Sequence, residues 1–204
     1  MLGAIAGDII GSLYENLRTK RKDFRLFTPL SIFTDDTVLT VAVADALLTG
    51  NDYGRTIKAY ARCYPLRGYG PKFLLWMLST SIRPFNSLGN GSAMRVSPVA
   101  HAFNSAAEVI EQARLSAECT HNHPEGIKGA QATALAVFMA RNKASKAEIR
   151  NEISRRYGYD LSRSIDDVRP SYRINLTCPG SVPEAIIAFL DSVSFEDAIR
   201  NAVS

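Results

Sequence analysis

The sequence has 204 residues, of which 46% are hydrophobic and 22% charged, so we expect one globular domain over residues 1–204. The 24 Lys and Arg against 20 Asp and Glu give a net charge of +4, too small an asymmetry to indicate nucleic-acid binding. Three cysteines are too few for a disulfide framework, which favours a reducing compartment and predicts a cytoplasmic protein. No stretch is long and apolar enough to indicate a membrane partner.

One segment, RTKRK at 18–22, is densely basic. Only Phe24 and Phe27 lie close enough in sequence to stack on nucleotide bases. A solvated loop is therefore the preferred interpretation, and nucleic acid is not expected as a partner.

Apolar residues recur with helical spacing along nearly the whole chain, which predicts an all-α fold. The first helix is expected over 2–15, with glycine at every fourth position facing a neighbouring helix. On another side of this helix, Asp8, Ser12 and Glu15 follow one another at i, i+4 and i+7. They form a polar stripe, which is unusual for a buried helix.

The second helix is expected to begin after Thr34 as N-cap and to end at Gly50. Asp35 and Asp36 in its first turn suit helix capping, but apolar residues surround them on both sides. Buried carboxylates need a cation, and this segment contains neither Lys nor Arg. A hard divalent ion such as Mg²⁺ or Mn²⁺ would accept these oxygens, with Glu15 and Asp8 as further ligands.

Further helix signals follow along the chain. Helices are predicted at 54–63, at 71–80 after Pro71, after the N-cap residues Ser105, Ser145, Ser181 and Ser194, and from Pro124 to Ala140. The segment 158–183 is less regular and predicts an extended loop or a short strand pair.

A glycine-containing loop, SLGNGSAMRVSP, precedes a helix predicted to begin near Ala93. Gly89 and Gly91 flank Asn90, and the loop continues through Ser92. Backbone amides in such a loop can bind a phosphate or diphosphate. A plain turn with a serine cap explains the same residues equally well.

The segment ECTHNHPEG alternates Cys119, His121 and His123 before Pro124. A zinc site is one interpretation, but no fourth ligand follows at a recognised spacing. An interhelix loop in which the histidines pack or cap is preferred. A histidine that hydrogen-bonds a ligand is a third alternative, provided that this loop lies near the glycine loop.

In order, these segments resemble the ADP-ribosylglycohydrolase family over nearly the whole chain. The matching stretches are GAIAGDIIGSLYE, FTDDTVLTVAVADAL, GNGSAMRVSP, THNHPEGIKGAQATA and CPGSVPEAIIAFLDSVSFEDAIRNAV. The resemblance implies an orthogonal helical bundle that holds two Mg²⁺ or Mn²⁺ ions and cleaves the bond at C1 of the distal ribose of ADP-ribose.

The resemblance also implies roles for particular residues. The matching metal ligands are Glu15, Thr34, Asp35 and Asp36, and the carboxylates of Glu15, Asp35 and Asp36 are the implied catalytic groups. The implied contacts to ADP-ribose are Asn90, Gly91, Ser92, Met94 and His121.

In one respect the sequence departs from the family pattern. A second acidic metal motif, which the family carries after the helix corresponding to FEDAIRNAVS, is absent from these residues. We therefore expect a C-terminally truncated bundle with weak metal binding and an exposed apolar surface that would favour a homo-oligomer.

Two functions remain open at this point. One is a metal-dependent hydrolase that removes ADP-ribose from a modified protein side chain or small molecule. The other is a catalytically silent homologue that binds ADP-ribose-like ligands or acts as a structural or interaction domain. An unrelated metal-binding helical protein is a distant third.

Overall fold

Helices make up the regular structure of the protein. The computed structural model describes residues 1–17 and 19–204, so Arg18 of the basic segment lies outside the described residues. The helices are α1 (Leu2–Gly11), α2 (Tyr14–Leu17), α3 (Asp35–Thr49), α4 (Tyr53–Cys63), α5 (Pro71–Leu78), α6 (Gly91–Met94), α7 (Val99–Ala102), α8 (Ala106–Glu118), α9 (Pro124–Arg141), α10 (Lys146–Tyr157), α11 (Ile165–Val168), α12 (Cys178–Leu190) and α13 (Phe195–Val203). The prediction of an all-α fold is confirmed.

The first helix is shorter than predicted. The helix expected over 2–15 ends at Gly11, and a separate short helix α2 begins at Tyr14. The Ser12 hydroxyl donates to the Ile9 carbonyl at 3.0 Å and accepts from the Ile32 amide at 3.2 Å. Because this side chain ties α1 to the segment that precedes α3, the chain turns here and Glu15 falls on α2.

Helix α3 has the predicted ends. The Thr34 hydroxyl accepts from the Asp36 amide at 3.3 Å, which satisfies one of the unpaired amides of the first turn. Gly50 ends the helix with φ of 71°, a left-handed conformation that costs glycine little.

The serine N-caps are confirmed at three of the four predicted positions. In each, the serine hydroxyl accepts from the amide three residues later, and these residues are Ser105, Ser145 and Ser194. The prediction for Ser181 is wrong, because α12 already begins at Cys178 after Thr177. Pro179 starts this helix early, since proline lacks the amide that a first turn leaves unpaired.

The irregular segment 158–183 contains the short helix α11 and then a loop that passes beside the glycine loop. The Asn90 amide donates to the Leu176 carbonyl at 2.8 Å, and the Cys178 amide donates to the Leu88 carbonyl at 2.9 Å. Of the two predicted alternatives the loop is present, and the described residues of this segment contain no strand pair; one isolated bridge joins Thr177 to Gly89 of the glycine loop. This pairing fixes the glycine loop against the start of α12.

Helix α9 lies at the centre of the molecule and packs against α6, α8, α10 and α12. Ala130 and Ala134 belong to one hydrophobic core with α3, α4 and α8, whereas Ala132 and Leu135 belong to a second core with α10 and α12. Small side chains on several faces of α9 let its neighbours approach closely. None of the described helices combines the length and apolar character needed to cross a membrane.

Candidate functional site

A cavity of about 430 Å³ lies between the start of α3, the start of α5, the glycine loop and His121. Eight residues that the sequence marks as site residues line it: Glu15, Thr34, Asp35, Asp36, Asn90, Gly91, Met94 and His121. A wider cavity of about 780 Å³ adjoins it and shares Glu15 and Asn90. The fold therefore gathers residues from four separate segments at one place.

Asp8 holds the start of α3 in position. Its carboxylate accepts from the Thr34 amide at 2.8 Å, from the Thr34 hydroxyl at 2.6 Å and from the Thr37 amide at 3.1 Å, and it also accepts from the Thr37 hydroxyl. These four donors occupy most of the acceptor capacity of a carboxylate. The sequence suggested Asp8 as a further metal ligand, but in the structure it positions Thr34.

The same contacts orient the Thr34 hydroxyl. Its one hydrogen is donated to Asp8 at 2.6 Å, whereas the distance to the Asp36 carboxylate is 3.4 Å. The hydrogen is directed toward Asp8 and one lone pair accepts from the Asp36 amide, so the other lone pair of the hydroxyl oxygen remains available. An oxygen held in this way beside a carboxylate is a suitable ligand for a hard cation.

The three remaining acids lie close together: Asp35 and Asp36 are partly buried, and Glu15 is more exposed. Burial, with smaller contributions from neighbouring carboxylates, raises the pKa of Asp35 to about 7 and that of Asp36 to about 7. Burial and the charge of Asp8 also raise the pKa of Glu15. Within the described residues none of these carboxylates forms an ion pair. When these acids are ionised, their mutual repulsion is therefore not offset by any described ion pair.

A divalent cation would relieve this repulsion, and the donor chemistry fits one. All of the candidate ligands are carboxylate or hydroxyl oxygens, which Mg²⁺ and Mn²⁺ prefer. The geometry is less complete: in the part of the chain that the structure describes, no three His, Cys, Asp or Glu side chains converge as a metal site. The Asp35 carboxylate lies instead beside Gly68, 3.3 Å from the position that a Cβ would occupy there.

The glycine loop presents Asn90, Gly91 and Met94 to the cavity. Ser92, predicted to contact the substrate, is fully buried, and its hydroxyl donates to the Gly126 carbonyl at 2.8 Å. The Ser92 side chain thus anchors the loop to α9 and does not line the cavity. The Asn90 side chain is also fixed in position, because its amide donates to the Ser181 hydroxyl at 3.2 Å.

The segment ECTHNHPEG, here called the histidine loop, lies beside the glycine loop. This is the condition under which one of its histidines could hydrogen-bond a ligand. A Cβ on Gly91 would stand 3.0 Å from both Cε1 and Nε2 of His121. The other members of the segment point elsewhere: the Cys119 thiol donates to the Ser116 carbonyl, and His123 accepts from the Glu125 amide at 3.1 Å as the N-cap of α9. This divergence agrees with the preferred loop interpretation and gives zinc no ligand set.

Similarity to known proteins identifies the family of the chain. The profile of the ADP-ribosylglycohydrolase family matches residues 1–204. The chain belongs to the ADP-ribosylglycohydrolase family. Its relatives include ADP-ribosylhydrolase ARH3 of Mus musculus, 33% identical over 183 residues that cover 72% of this chain and 50% of that protein. The same protein of Gallus gallus is 35% identical over 127 residues, which cover 53% of this chain and 35% of its own length.

The fold agrees with the family as well. A solved ADP-ribosylglycohydrolase-related protein complex superposes with a TM-score of 0.74 at 22% identity, covering 99% of this chain and 77% of that chain. The chain spans about half the length of the curated relatives it matches, at 50% for the mouse and human proteins. The likeness to the solved structure shows the helical fold.

Several residues of this family member reach the cavity without having been predicted to do so. They include Lys72 and Phe73 at the start of α5, Phe85, Leu176 and the fully buried Arg95. Lys72 could have been found from its position directly after Pro71, where a helix was predicted to start. Arg95 lies within the segment SLGNGSAMRVSP, but its burial depends on α8 and could not be read from local sequence.

Proposed function

We propose that this ADP-ribosylglycohydrolase family member binds the ADP-ribosyl group of a modified substrate in the 430 Å³ cavity and hydrolyses its bond at C1 of the distal ribose. One observation carries the proposal. Glu15, the acidic start of α3, the glycine loop and His121 lie far apart in sequence and line the same cavity. A site that combines carboxylates with a loop able to bind a phosphate suits cleavage of a glycosidic bond at a ribose.

The acidic residues of the cavity suit this reaction. Cleavage at C1 develops positive charge on the ribose, and the carboxylates of Asp35 and Asp36 would stabilise it electrostatically. Glu15, whose pKa is raised by burial and by Asp8, can accept the proton of an attacking water. Thr34, Asp35, Asp36 and Glu15 would hold Mg²⁺ or Mn²⁺, and when bound such an ion orients ribose hydroxyls and acidifies water.

The test is release of ADP-ribose from ADP-ribosylated arginine and serine peptides in the presence of Mg²⁺ or Mn²⁺. Asp36→Ala and Asp35→Ala are expected to lower the rate by about 10²-fold or more, since each removes charge from the reacting centre. Asp45→Ala is the matched control, because Asp45 lies on the same helix and does not line the cavity. Equal loss in the control, or no loss in the two site variants, would contradict the proposal.

A second candidate is binding of ADP-ribose without hydrolysis. It is favoured by the absence, among the described residues, of three side chains that converge as a metal site. Calorimetry with ADP-ribose and with Mg²⁺ separates the two functions. Binding of ADP-ribose without release under any metal condition supports the silent binder, whereas the absence of any effect of either ligand on the melting temperature rejects both.

A further inference from the structure

Arg95 is a buried cation outside the acidic cluster. It is 0% exposed, and its Nη2 donates to the Ser116 carbonyl at 2.9 Å and to the Thr120 hydroxyl at 2.8 Å. In the described part of the chain it has no carboxylate partner, and its Nε and Nη1 have no hydrogen-bond partner. Because a buried charge is costly, the contacts that Arg95 does make call for an explanation.

The contact to Thr120 determines the direction of the next hydrogen bond. The Thr120 oxygen also lies 2.8 Å from Nδ1 of His121, and Thr120 is fully buried. Arg95 can only donate. If Nδ1 of His121 also carried a hydrogen, both neighbours would donate to Thr120, and its own buried hydroxyl hydrogen would be left with the Cys119 sulfur, a much weaker acceptor than an imidazole nitrogen. Thr120 therefore donates to Nδ1, and the ring hydrogen of neutral His121 is on Nε2.

The protonated nitrogen faces the cavity. His121 lines the cavity, and its Nε2 lies 3.0 Å from the position of a Cβ on Gly91 and 3.6 Å from that of a Cβ on Gly89. No residue in the described part of the chain accepts a hydrogen bond from it. Burial, with help from the charge of Arg95, lowers the pKa of His121 to about 3, so the ring is neutral at physiological pH.

We infer that Arg95 and Thr120 are positioning residues that hold His121 as a neutral Nε2–H donor directed into the cleft, where it recognises an oxygen of the ligand bound at the glycine loop. In this arrangement His121 neither accepts a proton nor ligates a metal. The identity of the ligand as an ADP-ribosyl group rests on the proposed function, whereas the tautomer does not.

The tautomer can be read in the unliganded protein by long-range ¹H–¹⁵N correlation of the histidine rings, of which the chain has 3. In the parent protein we expect Nδ1 of His121 to be unprotonated and Nε2 protonated. Thr120→Ser keeps the hydroxyl and should keep this pattern. Thr120→Val has nearly the same shape without the hydroxyl and should give a mixture of tautomers. A protonated Nδ1 in the parent protein, or an unchanged pattern in Thr120→Val, would overturn the inference.

Affinity for ADP-ribose tests the recognition step. Thr120→Val should bind ADP-ribose about tenfold more weakly by calorimetry, as expected for loss of one well-directed hydrogen bond, and Thr120→Ser should match the parent. A changed tautomer with unchanged affinity would reject His121 as a ligand donor. If the parent protein does not bind ADP-ribose, the proposed function fails, and the tautomer spectrum alone decides the positioning role. If Thr120→Val does not fold, the spectra of the parent and Thr120→Ser decide it.

Discussion

At the residue scale, Asp8 shows how a polar side chain on a helix of small and apolar residues can serve the site without lining its cavity. Among the described residues its side-chain hydrogen bonds go to Thr34, the N-cap of α3, and to Thr37 in the first turn of that helix. A charged acceptor that satisfies backbone amides is worth more than a neutral one. The placement of Asp35 and Asp36 in the cavity thus depends on a residue from α1.

We predict that Asp8→Asn lowers the free energy of unfolding by about 2 kcal/mol, since the new amide hydrogens would face donors from Thr34 or Thr37. Urea denaturation measures the change. Asp23→Asn is the control, because Asp23 forms a solvent-exposed pair with Arg21, and such pairs contribute little to stability. Equal loss in both variants would show that Asp8 has no special role.

Gly91 is a second residue whose role follows from its contacts. Alanine there would bring a Cβ to 3.0 Å from His121, so the ring must move. We predict that Gly91→Ala weakens ADP-ribose binding about tenfold, the cost of one displaced hydrogen-bond donor. Gly70→Ala is the matched control, because Gly70 lines the same cavity and a Cβ there would meet nothing within 4 Å. Unchanged binding by Gly91→Ala would contradict this role.

At the element scale, α9 sets the distance between the histidine loop and the rest of the site. Its first turn passes so close to other backbone that a Cβ on Gly126 would lie 2.6 Å from the Ser87 carbonyl and 3.0 Å from the His121 carbonyl. Helix α9 therefore contributes to both hydrophobic cores and also determines how closely His121 approaches the glycine loop.

Gly126→Ala is expected to lower the free energy of unfolding by about 1–3 kcal/mol, because backbone atoms must move to admit the methyl group. Chemical denaturation gives the value. Gly7→Ala, where a Cβ meets nothing within 4 Å, should be neutral or stabilising, since alanine favours a helix interior by roughly 0.5–1 kcal/mol over glycine. A neutral Gly126→Ala would show that α9 tolerates displacement.

At the scale of the whole molecule, the buried acids make folding depend on pH. The carboxyls of Asp35 and Asp36 titrate near 3.8 when unfolded and at about 7 in the folded, metal-free protein. Folding thus favours their protonated forms, and the stabilisation that this provides is complete below pH 3.8. It is lost as the pH rises through about 7.

We therefore predict that, in EDTA, the free energy of unfolding of the parent protein falls between pH 4 and pH 7 relative to that of Asp35→Asn/Asp36→Asn, which lacks both titrations. Urea denaturation at several pH values measures the difference between the two proteins. Mg²⁺ should stabilise the parent above pH 7 and leave the double variant unchanged. Parallel pH profiles in EDTA would contradict the raised pKa values.

Much of the fold could be predicted because its signals are local. The caps at Thr34, Ser105 and Ser145 and the glycine that ends α3 act within one turn of their helices, so the sequence places those ends well. The errors, at the end of α1 and at Ser181, occurred where contacts between distant segments or an early proline decided the boundary.

The sequence by itself determined the helical class, the acidic first turn of α3 and the family resemblance, because periodicity, capping and ordered motifs are properties of neighbouring residues. Only the tertiary structure decided that Asp8 positions Thr34, that Ser92 turns away from the cavity and that Arg95 and His121 both contact the Thr120 hydroxyl. The physical reason is that burial and hydrogen-bond direction depend on which distant segments pack together, and a linear pattern does not contain those distances.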